Sequence, residues 1–363
     1  MDDLASVGQH FVIGLRPTTT LHPQDRQLLQ DLRPAGVVLF KSNFSHDLPY
    51  HEWLDGHARL IAAIREATGR DRLLIAIDHE GGRVCRTPDP VTRYAYARSW
   101  EDRCGEVGAA MGLELGSLGI NLNFAPVLDI DSNPQNPVIG MRSFGRVPEM
   151  VAARACDFMD RMEANGVRAC GKHFPGHGDT RVDSHLDLPV IETASEALHE
   201  REMRPFAAAI ERGLGMIMTA HIVFKALDDS RPATLSRRIT QELLRTELGF
   251  RGVVVSDDIG MRAVSAMFEN ADAAAQFISA GNDMLMICAH WTDTERARLL
   301  ARAIVEGRKN GSLDRRILDR AHERIDTMLG QTRQNSVRAL PDEVFRSNAE
   351  IGPLFSSPTV EVI

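Results

Sequence analysis

The stretch V-R-A-C-G-K-H-F-P-G-H-G-D-T-R-V-D-S-H-L-D-L-P, Val167 to Pro189, sets an apolar run directly against a polar loop. Val167 to Cys170 can finish a buried strand. Beyond it, Gly171, Gly176 and Gly178 with Pro175 describe a structured loop rather than a helix, because glycine opens backbone angles that other residues resist and proline fixes its own. Lys172, His173, His177, Asp179, Asp183 and His185 crowd into fourteen positions of this loop. Burying so many titratable groups behind a strand would be expensive without a task. The loop either carries out chemistry or binds a metal.

The same alternation recurs along the chain. Phe11–Leu15, Gly36–Phe40, Leu73–Ile77 and Ile120–Phe124 precede this stretch as short apolar runs, and Gly215–Thr219, Gly252–Ser256 and Asp283–Ile287 follow it. Helical spacing fills the gaps: Pro23–Leu32, the Trp53, His57, Leu60, Ile61, Ile64 series, the Val107, Met111, Leu115, Leu118 series, and Val151 to Met162. Further helices are predicted over Glu196–Arg212, Ile239–Leu248, Ala271–Ala280, Thr294–Gly307 and Arg315–Leu329. Eight strand candidates separated by helices predict an α/β fold with a parallel sheet closed as a (β/α)8 TIM-type barrel. Continuous rather than alternating apolar runs suit strands buried on both faces. A doubly wound open sheet is the alternative, and the count of eight favours closure. One catalytic barrel is expected over residues 1–330, with a polar tail over 331–363 that either wraps the barrel or is loosely ordered.

Composition narrows the class. Of 363 residues, 43% are hydrophobic and 25% charged, as in soluble globular proteins. A net charge of −8 offers no basic footprint for nucleic acid. Five cysteines without C-x-x-C spacing argue against a disulfide framework and for a reducing compartment. The opening M-D-D-L-A-S-V-G-Q-H lacks an apolar signal region, and no apolar run approaches the ~20 residues needed to span a bilayer. A cytoplasmic protein without membrane partners is expected. In a barrel of this kind, active sites sit on loops at the C-terminal ends of the strands. Asp78, Asp129, Arg142, Lys172, His173, Asp183, His185, His221 and Asp257 all fall at such ends, converging from strands three through seven.

Those motifs are also familiar together. D-H-E-G-G-R-V (Asp78–Val84), R-S-F-G (Arg142–Gly145), K-H-F-P-G-H-G-D (Lys172–Asp179), D-S-H (Asp183–His185), M-T-A-H-I-V-F (Met218–Phe224), P-A-T-L-S (Pro232–Ser236) and V-V-S-D-D (Val254–Asp258) resemble glycoside hydrolase family 3 in content and order. Within it they are most similar to the single-barrel β-N-acetylhexosaminidases that trim N-acetylglucosamine from peptidoglycan recycling fragments. The likeness extends over roughly residues 10–330. It implies a retaining exo-β-N-acetylglucosaminidase acting on a small carbohydrate or muropeptide, with no metal and no organic cofactor. By this resemblance Asp257 is the nucleophile, and Asp78, Arg142, Lys172 and His173 bind the sugar hydroxyls.

His185 would be the acid/base, replacing the second carboxylate of the usual pair. An imidazole titrating near ~6.5 both gives and takes protons near neutrality, and Asp183 two residues earlier can fix its tautomer. Each assignment has a plainer reading. Asp257 could cap the following segment, a role that suits Asp258 better. Asp78 could form a structural salt bridge with Arg142 or Lys172. His177 and Asp179 read as loop-ordering residues, and His221 and Met261 as packing at the pocket border. Two competitors differ in kind, and a third is a variant within the class. The His173–His185 loop could hold zinc in a metal-dependent barrel hydrolase, although no H-E-x-x-H pattern is present and Asp257 would lose its role. A sugar-binding barrel without catalysis would not need every reactive position filled. A β-N-acetylglucosaminide phosphorylase would resolve the same intermediate with phosphate, which a histidine repels less than a carboxylate would. The aglycone and the oligomeric state are not fixed by these motifs.

Overall fold

A computed structural model describes residues 4–181, 188–270 and 272–355. Eight parallel strands close into a barrel in chain order: β1 Phe11–Gly14, β2 Gly36–Leu39, β3 Leu74–Ile77, β4 Leu122–Asn123, β5 Arg168–Phe174, β6 Met216–Thr219, β7 Val253–Asp258 and β8 Met284–Ile287. Closure comes from β8 lying beside β1, with Phe11, Val12 and Ile13 opposite Leu285, Met286 and Ile287. The predicted (β/α)8 barrel is the observed fold.

Strand burial explains the unbroken apolar runs. Val12, Val38, Leu74, Ala76, Leu122, Cys170, Met216, Met218, Val253, Val255, Met284 and Met286 fill the barrel interior. Their neighbours Phe11, Ile13, Val37, Leu39, Ile75, Ile77, Ile217, Val254, Leu285 and Ile287 face the helices. Both faces are therefore dry, and side chains of period two need apolar residues at every position.

The surrounding helices are α1 Pro23–Leu32, α2 Tyr50–Thr68, α3 Cys104–Ser117, α4 Pro148–Ala164, α5 Arg204–Glu211, α6 Arg238–Glu247 (wound in wide π-type turns), α7 Asp272–Ser279, α8 Arg296–Asn310 and α9 Arg315–Gln331. Ile325, Met328 and Leu329 of α9 pack into the interior cluster from the N-terminal end of the strands. At that end Asp283 is fully buried and its carboxylate is filled. Oδ1 accepts from Arg324 Nε and Nη2 at 3.0 and 2.6 Å, and Oδ2 from Arg245 Nη2 at 2.6 Å and Val254 N at 2.7 Å.

Two elements differ from the sequence reading. The fifth strand does not stop at Cys170 but runs on through Gly171, Lys172 and His173 to Phe174, so the start of the polar motif is strand. The fourth strand has only two residues, because side chains continue its ladder. Asn121 Oδ1 accepts from Ile75 N at 2.7 Å, and Asn123 exchanges hydrogen bonds with the backbone of His79, accepting at 2.9 Å and donating at 2.8 Å. Beyond α9 the chain crosses back over the barrel wall, with Val337 bridged to Leu118, and forms α10 over Asp342–Ala349. Pro341 precedes that helix, and Asp342 and Glu343 sit in its first turn, where carboxylates suit the helix dipole. Among the described residues no helix is long and apolar enough to cross a membrane.

Candidate active site

Asp78, Arg142, Lys172, His173 and Asp257 line one cavity of about 300 Å³ at the C-terminal end of the strands. Glu80, Arg83, Val84, Arg86, Val138, His177 and Met218 complete its wall. Five of the seven side chains assigned from sequence thus meet in one place. The other two, Asp183 and His185, lie outside the described residues.

Glu80 is the hub of the wall, and sequence reading passed over it. Its carboxylate takes a bidentate pair from Arg142, Nε at 2.7 Å and Nη2 at 2.8 Å, and lies 2.6 Å from the Lys172 ammonium. Lys172 also donates to Asp78 Oδ1 at 2.7 Å, so the structural salt bridge weighed for Asp78 exists, with Lys172 as its partner. Burial alone would push the Glu80 carboxyl up, but Arg142 and Lys172 outweigh it and hold it well below the usual carboxylate range. The same contacts keep Lys172 cationic against its burial. Two of the three ammonium donors are thereby fixed, and among the described residues Asp78 Oδ2 accepts from nothing. A signal for Glu80 was present: a carboxylate just past the third strand, facing cations delivered by the next two strand ends.

Asp129, at the end of the segment after β4, sets the orientation of the two histidines. It is fully buried; Oδ2 lies 2.6 Å from His173 Nδ1, and Oδ1 accepts from the backbone N–H of His173 and His177 at 3.0 and 2.7 Å. The Lys172–His173 peptide is cis, as is Phe174–Pro175. Gly178 is required where it stands, since a Cβ there would lie 1.7 Å from Ile130 O. His177 is pushed down to about 4, first by burial and then by His173, so it is neutral near pH 7. Asp179 bonds Arg201 Nη2 at 3.2 Å and Thr193 Oγ1, tying the loop to the chain ahead of α5.

Asp257 and Asp258 end β7 and have separated tasks. Asp258 Oδ1 accepts from Gly260 N and Cys288 N, both at 3.0 Å, so it shapes the turn. Asp257 is left partly exposed on the cavity floor, with Oδ1 accepting only the N–H of Asp258 at 2.8 Å among the described residues. Burial raises its carboxyl, but His173, His221, the Asp258 N–H and Lys172 bring it below its ordinary value. His221 is itself pushed down by burial, so Lys172 is the permanent charge in that balance. His221 packs between Thr234 Oγ1 at 2.7 Å and Asp258 O at 3.1 Å. Cys85 is buried and its thiol is pushed up to about 11 by burial, which leaves it unreactive. Among the described residues no three His, Cys, Asp or Glu side chains are grouped to hold a metal.

A carboxylate on a rigid strand end, kept ionised on the floor of a polar cavity whose walls offer both acceptors and cations, has the chemistry to act as a nucleophile toward a carbon such as a sugar's anomeric centre. The family model for the glycosyl hydrolase family 3 N-terminal domain matches residues 6–328. A β-hexosaminidase of Thioalkalivibrio sulfidiphilus is 35% identical over 95% of this chain and 96% of its own. β-Hexosaminidase A of Pseudoalteromonas piscicida is 38% identical over 74% of this chain, but the match spans only 48% of that longer protein. The structure of NagZ from Neisseria gonorrhoeae, in complex with N-trifluoroacetyl-D-glucosamine, superimposes with a TM-score of 0.73 at 29% identity, covering 94% of this chain and 96% of that one. The chain belongs to glycoside hydrolase family 3. It is a glycoside hydrolase, and its relatives place it among the β-N-acetylhexosaminidases of that family.

Proposed function

We propose that this protein is a retaining, exo-acting β-N-acetylglucosaminidase that releases terminal N-acetylglucosamine from muropeptide-type fragments in the cytoplasm. Asp257 attacks the anomeric carbon while His185 protonates the departing oxygen. His185 then takes a proton from water as the glycosyl-enzyme is hydrolysed, with Asp183 steadying the imidazolium. Asp78 accepts from adjacent sugar hydroxyls through the oxygen that takes no bond from the described residues, Lys172 and Arg142 donate to others, and His173 hydrogen-bonds a hydroxyl through Nε2, its Nδ1 being engaged by Asp129. No metal or organic cofactor enters this scheme. The observation that carries it is the position of Asp257, which is ionised beside Lys172, partly exposed in the cavity, and relieved of structural duty by Asp258.

Hydrolysis of 4-nitrophenyl β-N-acetylglucosaminide tests this, run beside the β-glucoside, with wild type and Asp257→Ala, each with and without EDTA. The N-acetyl substrate is expected to turn over regardless of EDTA and to lose about 10⁴-fold in kcat in the variant. Activity that disappears with EDTA yet survives in Asp257→Ala would overturn the reading and make the histidine-rich loop a metal site.

A further inference from the structure

The loop after β3 supplies Asp78, Glu80, Arg83 and Arg86 to the cavity, and the barrel's helices hold its outer limb through Trp53 Nε1 on Asp89 O at 2.9 Å and Glu114 on Thr92. A second hold comes from the far end of the chain. Ala95 N donates to Pro353 O and Phe355 N to Arg93 O, both at 2.7 Å, and Tyr94 is bridged to Leu354 as in an antiparallel pair. Tyr94 Oη donates to Asn348 O at 2.8 Å. Asn348 Nδ2 donates at 2.7 Å to Glu114 Oε1, and that buried carboxylate also accepts from Thr92 N and Oγ1. The Phe355 ring stands edge-on to Tyr96 at 5.7 Å and lies beneath the Arg93 guanidinium at 5.9 Å.

The next layer passes this grip inward. Gly82 N donates to Tyr94 O at 2.9 Å, and Trp100 Nε1 donates to Ala95 O at 2.9 Å. Gly81 and Gly82 fit so tightly that a Cβ on Gly81 would lie 2.4 Å from Ala95 O, and one on Gly82 would lie 2.2 Å from the Tyr96 ring. Contacts this close move together, because packed interiors shift in steps rather than stretch. We propose that Asn348 to Phe355 are positioning residues of the active site, acting through residues 92–96 on the Asp78–Arg86 loop. The segment after the barrel's last helix is then part of the sugar-binding apparatus. Its kinetic consequence rests on the proposed N-acetylglucosaminidase reading; its mechanical one does not.

The test uses the full-length chain carrying Phe355→Ala, with Phe355→Tyr as the conservative partner and Asn348→Ala as a second site. Hydrogen exchange is followed in peptides covering residues 78–86 and 253–258. Phe355→Ala is expected to speed exchange in 78–86 about tenfold and leave 253–258 unchanged, while Phe355→Tyr matches wild type. KM for 4-nitrophenyl β-N-acetylglucosaminide should rise about tenfold with kcat within about twofold, because the floor carboxylate is untouched and only sugar-holding groups loosen. Partial unfolding would instead lower kcat and leave KM unchanged, and that result overturns the proposal. So does unchanged exchange at 78–86 in both Phe355→Ala and Asn348→Ala. Should the wild type fail to hydrolyse the substrate, the N-acetylglucosaminidase reading falls, and the exchange data still decide the mechanical link.

Discussion

Two buried ion clusters sit at opposite ends of this barrel, and they differ in what they leave unused. At the floor, both oxygens of Asp283 are filled by Arg324, Arg245 and a backbone N–H. At the rim, Glu80 is filled in the same way by Arg142 and Lys172. Its neighbours are not. Among the described residues Asp78 keeps an open oxygen, Lys172 a third donor, and Asp257 all of its acceptor capacity but one bond, and all three border the cavity. Satisfied ions next to packed side chains are architecture; ions with spare valence next to open space are a site. Asp257 and Asp258 repeat the contrast between adjacent residues.

The contrast can be broken from either end. The largest effect on stability is expected at the floor. Asp283→Ala strands Arg245 and Arg324 in a dry environment and should reduce the unfolding free energy by about 3–5 kcal/mol in a denaturant titration. The fraction that remains folded should keep kcat/KM within about twofold, and a larger loss would mean that the floor cluster serves the site as well. At the rim, Glu80→Gln keeps the shape and removes the charge that gathers Arg142 and Lys172. A fall in kcat/KM of about a hundredfold is expected, with a smaller stability loss of about 1–3 kcal/mol.

Glu202 gives the smallest effect and the sharpest test, because it satisfies only half of the description. It is fully buried, Oε1 accepts from Arg201 Nε at 2.7 Å, and Oε2 has no partner among the described residues. Instead of a cavity it faces Gly176, where a Cβ would lie 2.8 Å from its own Cβ. Burial pushes its carboxyl up to about 7, against Arg201, with Asp129 and Asp179 adding to the rise. A carboxyl raised in the folded state stabilises it below the unfolded value, and that contribution is lost as pH rises through about 7. Wild type should therefore lose about 2 kcal/mol between pH 5 and pH 8 relative to Glu202→Gln. Parallel melting curves for the two proteins at both pH values would show that an unpaired oxygen here carries no cost.

The barrel was legible because strands buried on both faces must be apolar throughout, and the cavity because its polar residues follow those strands directly. The missing parts depend on distant partners. Glu80 looks like an ordinary acid in D-H-E-G-G until Arg142, 62 residues on, is placed against it. Asp129 gains its role from His173, 44 residues on. Lys172 and His173 were read as loop because glycine and proline surround them, yet strand pairing carries through to Phe174. The α10 helix escaped notice because eight residues leave little room for periodicity, and its hold comes from Asn348 reaching Glu114.

Closure of β1 onto β8 also sets a timetable for synthesis. The bond between His10 Nδ1 and Asp283 O joins positions 273 residues apart. At about 5–20 residues per second, roughly 14–55 s separate their emergence from the ribosome. Through that interval the nascent chain carries Phe11, Val12 and Ile13 as an uncapped, wholly apolar edge, the kind of template that recruits other strands. In the cell, the vulnerable period of this protein is the wait for its eighth strand, and a chaperone that shields the first would protect it longest.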